Sequence, residues 1–379
     1  MYFLSEDGKQ TGPFPLDYLQ TGWRDGTLLP DTLFWQEGMA DWKPLESIRS
    51  LLEKASPAAT GPAPMIIAGF WRRVAAFLID VLFIGLVGFG SGYFLFNFYM
   101  SLGLGGILIG LVVATAYFGL LNSSLGGGQT FGKRVLGTRV EDAAGNLISP
   151  GRSILRYLVL AFPFFLNKAV SDGLFANLWM GALAMIPVAA GFAAFTYLLI
   201  FNRHTRQMVH DLALRTYVVR ASSPRPALAP HMWRGHAIVV AVLCVLVLVL
   251  AAAGSLLVRI PFFQSMLTVR QAVMSTGDVR AASVTGGTTY LVESGHLETT
   301  RVLLILAHVK APPASEQVKA AQLALLALQA DPSISTYDRI NVSISFGYDI
   351  GIASGVVTDQ YSHTPDEWKQ IAGQPVASP

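Results

Sequence analysis

Asp80 is the residue with the greatest consequence for chemistry in this sequence, because it lies inside a long apolar stretch. The stretch runs from Val74 to Phe98, and a helix needs about 20 such residues to cross a bilayer. A charged carboxylate in the middle of a membrane helix costs about 2.5–3.5 kcal/mol on insertion scales, so it must face protein or water. Asp80 is therefore either a proton or cation site or a charge that pins its helix to the neighbouring helices.

A buried carboxylate needs a partner. Arg73 precedes Asp80 by seven residues, which places both on one helix face but about 10 Å apart along the axis, too far for a direct bond. We expect Arg156 to pair with Asp80, with Arg206 as the alternative. Asp211 lies near the membrane surface, where it could accept a hydrogen bond from Arg73. Together these five residues form the predicted membrane charge cluster.

Five apolar blocks indicate a polytopic membrane protein. Hydrophobic residues make up 52 % of the 379 residues and charged residues 13 %, against about 25 % charged in soluble domains. The block 154–171 is the weakest, since it contains Arg156, Pro163 and Lys168, and it could be re-entrant. The other apolar blocks are 74–98, 102–121, 173–201 and 237–258.

The distribution of basic residues decides how many blocks cross. Segments 122–153 and 202–236 are rich in lysine and arginine, as cytoplasmic loops are. If both lie on the cytoplasmic side, an even number of crossings separates them, so 154–171 must span together with 173–201. The sequence predicts about five transmembrane helices, with the amino terminus inside and the carboxyl terminus on the opposite side.

Glycines are spaced to bring helices close together. Gly106 and Gly110 form a GxxxG pair in the second block, and Gly85, Gly88 and Gly92 line the first. Such small residues let membrane helices approach closely. We expect these glycines to form helix–helix contacts.

The charge pattern limits the classes of partner. Residues 56–236 carry 14 basic and 5 acidic residues, whereas the regions on either side are net acidic. We expect contact with the lipid bilayer and its anionic head groups and no nucleic acid, because neither soluble region is basic. The single cysteine, Cys244, allows neither an internal disulfide nor a cysteine-based metal site.

Residues 1–50 read as a small α+β unit rich in aromatic residues. Strands are predicted at 2–4 and 33–35, with a helix around 16–21. Three segments resemble the bacterial GYF-like domain (GYF domain 2), namely Gln-Thr-Gly-Pro-Phe at 10–14, Pro-Asp-Thr at 30–32 and Trp-Gln-Glu-Gly-Met-Ala-Asp-Trp at 35–42. GYF domains bind proline-rich peptides on aromatic faces. The peptide-binding candidates are Tyr2, Phe14, Trp23, Trp35 and Trp42, with a place in the core as the alternative for most of them.

Two linkers adjoin the membrane region. Residues 51–65 form a flexible linker, and residues 221–236 form a cytoplasmic linker. Both linkers contain prolines. Each of them is therefore either an intramolecular ligand for the amino-terminal domain or a plain tether.

Residues 66–220 resemble the RDD family of bacterial membrane proteins, which is named for one arginine and two aspartates. Arg73 matches the arginine, Asp80 the first aspartate and Asp211 the second. The loop 128–140, Gly-Gln-Thr-Phe-Gly-Lys-Arg-Val-Leu-Gly-Thr-Arg-Val, is also typical of the family. The resemblance implies a module of four transmembrane helices, for which transport of an unidentified ligand is the usual suggestion.

Residues 237–258 are the fifth helix, and residues 259–379 are predicted to be an α+β soluble domain. Strict alternation over 340–346 indicates a half-buried strand, with further strands at 301–309 and 349–358 and a helix at 316–330. Thr364-Pro365-Asp366-Glu367 is a capping box that opens a terminal helix. The histidines of this region lack ligand spacing and no nucleophile motif occurs, so we expect no metal, cofactor or enzymatic activity.

These observations favour a mainly α-helical polytopic protein of the bacterial inner membrane, with a cytoplasmic α+β GYF-like domain and a periplasmic α+β domain. The leading hypothesis is transport of an ion or small solute through the helix bundle. The rival is a non-transporting adaptor that links a cytoplasmic proline-rich partner to a periplasmic process. The sequence specifies no oligomeric state.

The membrane topology can be tested by cysteine labelling. Cysteines at Lys54 and Arg225 should react only with reagent that enters the cell, whereas a cysteine at Gln317 should react with impermeant reagent from outside. A protected Gln317 position would mean that either 154–171 or the last apolar block does not span.

Overall fold

The computed structural model describes residues 1–6, 9–53, 63–174, 178–223, 227–293 and 296–373. Residues 1–63 and 64–379 form two compact units. Some of the segments discussed above lie outside the described residues. They are most of the predicted linker 51–65, the labelling positions Lys54 and Arg225, and the Pro-Arg-Pro segment 224–226.

The amino-terminal unit is a small antiparallel sheet packed on a helix. Its elements are β1 (Tyr2–Glu6), β2 (Lys9–Phe14), α1 (Leu16–Arg24), β3 (Leu33–Gln36), β4 (Lys43–Pro44) and α2 (Arg49–Leu52). The strand order is β2-β1-β3-β4. The buried core consists mainly of leucines around Phe34, and most other aromatic residues pack at its edge. The predicted α+β unit is confirmed, but aliphatic side chains rather than aromatic ones fill its centre.

Five apolar helices form the membrane bundle: α3 (Phe70–Leu102), α4 (Gly106–Leu121), α6 (Pro150–Ser171), α7 (Leu178–Phe201) and α9 (Gly235–Leu257). Among the described residues, four helical stretches are long and apolar enough to cross a membrane, and the first, Phe70–Leu121, contains both α3 and α4. Gly103, with φ of 55°, ends α3. The chain reverses there, because Tyr117 near the end of α4 reaches Asp80 in the first half of α3.

The uncertain block forms one continuous helix, α6, which is among the four candidate spans. It begins at Pro150, a residue suited to the first helical turn. Ser149 caps it by accepting a hydrogen bond from the backbone N–H of Arg152. Pro163 lies within the helix without ending it.

A small polar layer joins the helices on the basic side of the bundle. It contains two short helices, α5 (Phe131–Val135) and α8 (Val209–Ala213), and the antiparallel pair β6 (Thr138–Asp142) and β7 (Thr216–Arg220). Ile67, just before α3, bridges to Val219 of β7. Two further short strands, β5 (Ala63–Pro64) and β8 (Ala227–Leu228), pair with each other. The sequence predicted only loops here.

The carboxyl-terminal domain is a four-stranded sheet with helices on one face. Its elements are α10 (Pro261–Met274), β9 (Val279–Glu293), β10 (His296–Val309), α11 (Glu316–Ala330), β11 (Arg339–Asp349), β12 (Ser354–His363) and α12 (Pro365–Gly373). The order is β12-β11-β10-β9, with only β10 and β11 parallel. α11 supplies the long crossover that a parallel pair requires. The predicted α+β domain is confirmed, although α10 and β9 were not foreseen.

The turn between β11 and β12 inserts into the membrane bundle. Tyr348 and Ile350 are 4 and 1 % exposed and pack against Tyr99 of α3. Lys168, near the end of α6, forms an ion pair with Asp349 in this turn. We call residues 348–353 the hairpin tip. It lies at the opposite end of α3 from the polar layer of α5, α8, β6 and β7, which we call the basic layer.

The hairpin tip occupies the glycine-lined groove that was expected to hold a second helix. A side chain at Gly110 would overlap the backbone carbonyl of Ile350, and one at Gly92 would overlap the hydroxyl of Tyr348. A Cβ on Gly88 would lie 2.8 Å from the Cβ of Ala353. The prediction of glycine-mediated helix–helix packing is therefore wrong for these residues, because the space that they leave is filled by a β-hairpin.

Adding one methyl group to this groove should loosen the docked domain. Gly110→Ala places a Cβ against backbone, which cannot move aside easily, and overpacking of this kind costs about 1–3 kcal/mol. We expect a lower unfolding midpoint in mild detergent and faster proteolysis of the hairpin tip. Gly90→Ala is the control, since nothing lies within 4 Å of its Cβ position. Equal behaviour of the two variants would show that the tip does not dock.

Candidate functional site

Asp211, in the basic layer, joins α3, α6 and α8 through a fully buried carboxylate. Its Oδ2 accepts a hydrogen bond from Nη2 of Arg73 at 2.7 Å, and its Oδ1 accepts from Nη2 and Nε of Arg156 at 2.5 and 3.0 Å. The hydroxyl of Thr216 also donates to Oδ1, at 3.1 Å. Burial by itself raises the pKa of Asp211, but Arg156 and Arg73 hold that pKa well below its usual range. The ionised carboxylate ties α3, α6 and α8 together.

Arg206 takes part in this cluster through its backbone. Its carbonyl oxygen accepts a hydrogen bond from Nη1 of Arg73, and its φ of 52° turns the chain back toward α8. Met208 then donates its backbone N–H to Oδ2 of Asp211 at 3.3 Å. The turn 202–208 and α8 thus present the carbonyl of Arg206 and the carboxylate of Asp211 to one guanidinium.

Asp80 is fully buried as well, but neutral donors surround it. The hydroxyl of Tyr117 and the backbone N–H of Gly132 donate to Oδ1 at 2.8 and 2.7 Å, and the hydroxyl of Thr130 donates to Oδ2 at 2.5 Å. Thr130 and Gly132 flank the first residue of α5, so Asp80 caps this helix from outside, where a negative charge is favourable. A side chain at Gly132 would overlap the carbonyl of Ala76, so glycine is needed for this approach.

The predicted pairing of Asp80 with Arg156, or with Arg206, is wrong. Arg156 lies in the second turn of α6, where its guanidinium reaches Asp211, and Asp80 lies two turns deeper along α3 than Arg73. α5 fills the space beside Asp80 instead. The charge cluster is therefore split into an ion-paired group around Asp211 and a helix-capping group around Asp80.

Two titratable side chains, Lys133 and His210, lie near these groups, and Nε2 of His210 is 3.5 Å from Oδ1 of Asp211. Among the described residues, no hydrogen bond or ion pair is found for the ammonium of Lys133, and burial, aided by Arg156, lowers its pKa to about 7. His210 is 2 % exposed, its Nδ1 has no hydrogen-bond partner among the described residues, and burial lowers its pKa to about 3. His210 is therefore neutral at physiological pH.

A cavity of about 320 Å³ opens next to these residues, between α3, α4, α6 and α7. Its polar end is formed by Arg73, Asn122, Lys133, Thr138, Arg156 and His210. Its walls are mostly aromatic, with Phe77, Phe118, Phe164, Phe192 and Phe195. In the sequence, Lys133 and Thr138 stood out only as parts of the loop 128–140, and His210 did not stand out. The aromatic residues of the wall are recognisable there only as hydrophobic residues.

A second cavity, of about 160 Å³, lies on the side of the hairpin tip. It shares Phe77, Phe118, Tyr157, Leu160 and Phe164 with the first cavity. Its far end is formed by Gly351 and Ile352. The two cavities together extend from the basic layer to the hairpin tip.

Family models match both parts of the chain that the sequence motifs singled out. The RDD family model matches residues 67–215, and the GYF domain 2 model matches residues 2–51. Residues 67–215 are therefore similar to the RDD family, in a chain whose apolar helices are long enough to cross a membrane. Searches of curated proteins and of solved structures found no match. Within the RDD domain, the arginine and the two aspartates of the family motif are the residues that hold α3, α5, α6 and α8 together.

The aromatic candidates of the GYF domain lie mostly at the edge of its core. Tyr2, Phe14 and Trp23 pack against the buried leucines. Trp35 donates its Nε1–H to the carbonyl of Met39 at 2.9 Å, and Trp42 is half-buried. An aromatic surface that was not predicted is the stack of Phe14 on Tyr18, whose ring centroids lie 4.3 Å apart.

Several arginines near the bundle surface bind backbone carbonyls of the protein. Arg152 donates to the carbonyl of Leu214 at 2.8 Å, and Arg139 to those of Ala221 and Ser223 at 2.6 and 2.9 Å. Arg139 also pairs with the buried Glu141. Over the described ranges of the chain, no group of three or more His, Cys, Asp or Glu side chains could hold a metal ion.

Loss of the Asp211 charge should be the most destabilising single change in the basic layer. Asp211→Asn leaves the guanidiniums of Arg73 and Arg156 uncompensated, and breaking a buried pair from one side costs about 3–5 kcal/mol. We expect low abundance and a strongly reduced unfolding midpoint. Asp366→Asn, which removes an exposed ion pair with Lys369, should change stability by at most about 1 kcal/mol.

Asp80→Asn should cost less, about 1–3 kcal/mol, because only one oxygen remains for its three donors. A charge swap between Asp80 and Arg156 should give no recovery, since the two residues do not pair. Recovery of the swapped protein, or equal stability of Asp211→Asn and Asp366→Asn, would contradict the geometry.

Proposed function

We propose that the RDD domain transports a solute through its helix bundle and that the hairpin tip closes the path on one side. The observation that carries this proposal is the pair of cavities that share one aromatic wall and extend from the cationic layer to Gly351 and Ile352. Polar groups inside membrane bundles commonly mark such paths. No catalytic reaction is part of the proposal.

The hairpin tip is suited to act as a gate, since it belongs to a soluble domain and is not continuous with any apolar helix. It is held in the groove by packing on glycines and by the pair of Lys168 with Asp349. Side-chain exposure of Lys168 is 41 %, so this pair is accessible to water. Withdrawal of the tip would open the second cavity.

The proposed orientation places the basic layer and the GYF domain in the cytoplasm and the carboxyl-terminal domain in the periplasm. Two features support it. The described basic residues of 122–153 and 202–236 lie in the loops and short elements at one end of the bundle, as expected for a cytoplasmic face. The hairpin tip and the α3–α4 connection lie at the other end.

A second candidate function is that of an adaptor, which the match to GYF domain 2 favours. Domains of this kind bind proline-rich peptides generally, and the stacked pair of Phe14 and Tyr18 offers a flat aromatic face. Tyr18 is 48 % exposed. In this alternative the membrane bundle anchors two interaction domains and moves nothing.

A reversible lock on the hairpin tip tests the transport proposal. Gly88→Cys with Ala353→Cys, in a Cys244→Ser background, places two sulfurs where a Cβ–Cβ separation of 2.8 Å needs only a small shift to reach the roughly 3.5–4.5 Å of a disulfide. In proteoliposomes that report flux of protons, sodium and small organic solutes, the oxidised protein should be inactive and reduction should restore the flux.

Gly90→Cys with Ala353→Cys is the matched control, since nothing lies within 4 Å of the Cβ position at Gly90. Flux that persists in the locked protein would exclude the hairpin tip as the gate. If none of these probes moves while the intact protein captures a proline-rich peptide, transport is wrong and the adaptor stands.

A further inference from the structure

The polar end of the larger cavity has hydrogen-bonding capacity that the protein itself leaves unused. Oδ1 of Asn122, Oγ1 of Thr138 and Nδ1 of His210 are buried, and no described residue bonds to them. All three residues are 2 % exposed or less and line the cavity. Buried polar atoms normally find partners, so this end is built to receive a polar group.

The charge at this end is positive. Arg73 and Arg156 share the single carboxylate of Asp211, and His210 is neutral. The Asp80 carboxylate is engaged by the first turn of α5. Lys133 adds an ammonium that no hydrogen bond or ion pair occupies among the residues described. An anion placed here meets a free ammonium and the arginine pair, whereas a cation would be repelled.

The other end of the cavity is apolar and open to the side. Phe77 and Phe164 line the cavity and are 40 and 42 % exposed, and Thr196 of α7, which also lines it, is exposed. These residues lie on membrane helices, so the opening faces the lipid tails. A tail that moves from the lipid onto this apolar wall stays out of water throughout. A ligand with a tail can therefore enter from the bilayer with its head group at Lys133.

We propose that this cavity binds an anionic amphiphile, a single apolar tail with a carboxylate or phosphate monoester head group, with the head group on Lys133 and the tail along the phenylalanine wall. Thr138 donates its hydroxyl to the head group. A head group that carries its own hydroxyl can donate to Oδ1 of Asn122 or Nδ1 of His210. Movement of this ligand across the membrane rests on the proposed function. Its binding does not, because binding is measured separately.

The position of Lys133 makes this binding dependent on pH. Above about pH 7 the free protein loses the Lys133 proton, while a bound anion favours the charged form. Affinity should therefore fall by up to tenfold for each pH unit above 7, until the proton is lost from the complex as well. The charged and titratable groups that surround the ammonium are Arg73 and Asp80 of α3, Arg156 of α6, and His210 and Asp211 of α8.

The test uses the full chain in nanodiscs of phosphatidylcholine with a photoreactive palmitate that carries a diazirine on its tail. Illumination and mass spectrometry should place the label on α6 or α7 near Phe164, Phe192 or Phe195. Unlabelled palmitate and lysophosphatidate should compete, and palmitate methyl ester should not. Lys133→Met should reduce labelling about tenfold and remove its dependence on pH above 7, with no loss of stability.

Two variants separate the site from general surface effects. Arg203→Met removes an exposed charge from the same face and should leave labelling unchanged. Thr196→Trp closes the lateral opening and should abolish labelling. Equal competition by the methyl ester, or unchanged labelling of both Lys133→Met and Thr196→Trp, would overturn the proposal.

If inorganic phosphate competes and the unlabelled amphiphiles do not, the site binds a small anion and the proposal of an amphiphile is wrong. Specific labelling without movement of the probe across proteoliposomes would uphold the binding site and defeat transport. Flux of another solute without labelling would support transport and overturn the binding site.

Discussion

The Asp211 carboxylate shared between Arg73 and Arg156 is the interaction on which the membrane domain depends. It joins the beginning of α3 to the second turn of α6 and to α8, three segments that are far apart in the chain. Burying these charges is unfavourable unless every lone pair and proton is used, and here both carboxylate oxygens accept at least two hydrogen bonds. The same cluster forms the polar floor of the larger cavity, so the architecture and the site share their charges.

The two aspartates of the RDD motif offset the free-energy cost of burying a carboxylate in different ways. Asp211 lies where two guanidiniums reach it from neighbouring helices. Asp80 lies deeper along α3, where its described hydrogen bonds come from the hydroxyls of Tyr117 and Thr130 and from the first turn of α5. This arrangement leaves Lys133, two residues into α5, beside the cavity, and no carboxylate of the described residues forms an ion pair with it. In the proposed binding of an anionic ligand, this positive side chain is the feature that selects for charge.

Much of the fold follows from the sequence, because hydrophobic length and the distribution of basic residues report directly on membrane helices. The alternation over 340–346 and the capping box at Thr364 likewise predicted β11 and α12, since local chemistry determines them. Pairing could not be predicted in the same way. Arg156 was assigned to Asp80 because the sequence does not reveal that α5 enters the space between them. The glycines of α3 and α4 indicated close packing, but nothing local distinguishes a helix from a hairpin as the partner.

The hairpin tip also has a consequence for the order in which the protein is made. The groove between α3 and α4 is completed by residues 348–353, which leave the ribosome long after those helices have entered the membrane. Until the carboxyl-terminal domain has folded, Gly88, Gly92 and Gly110 line an unfilled cleft between the helices. The bundle must therefore persist as an incomplete intermediate, and a chain truncated before β11 should be a substrate for membrane quality control even though every apolar helix is present.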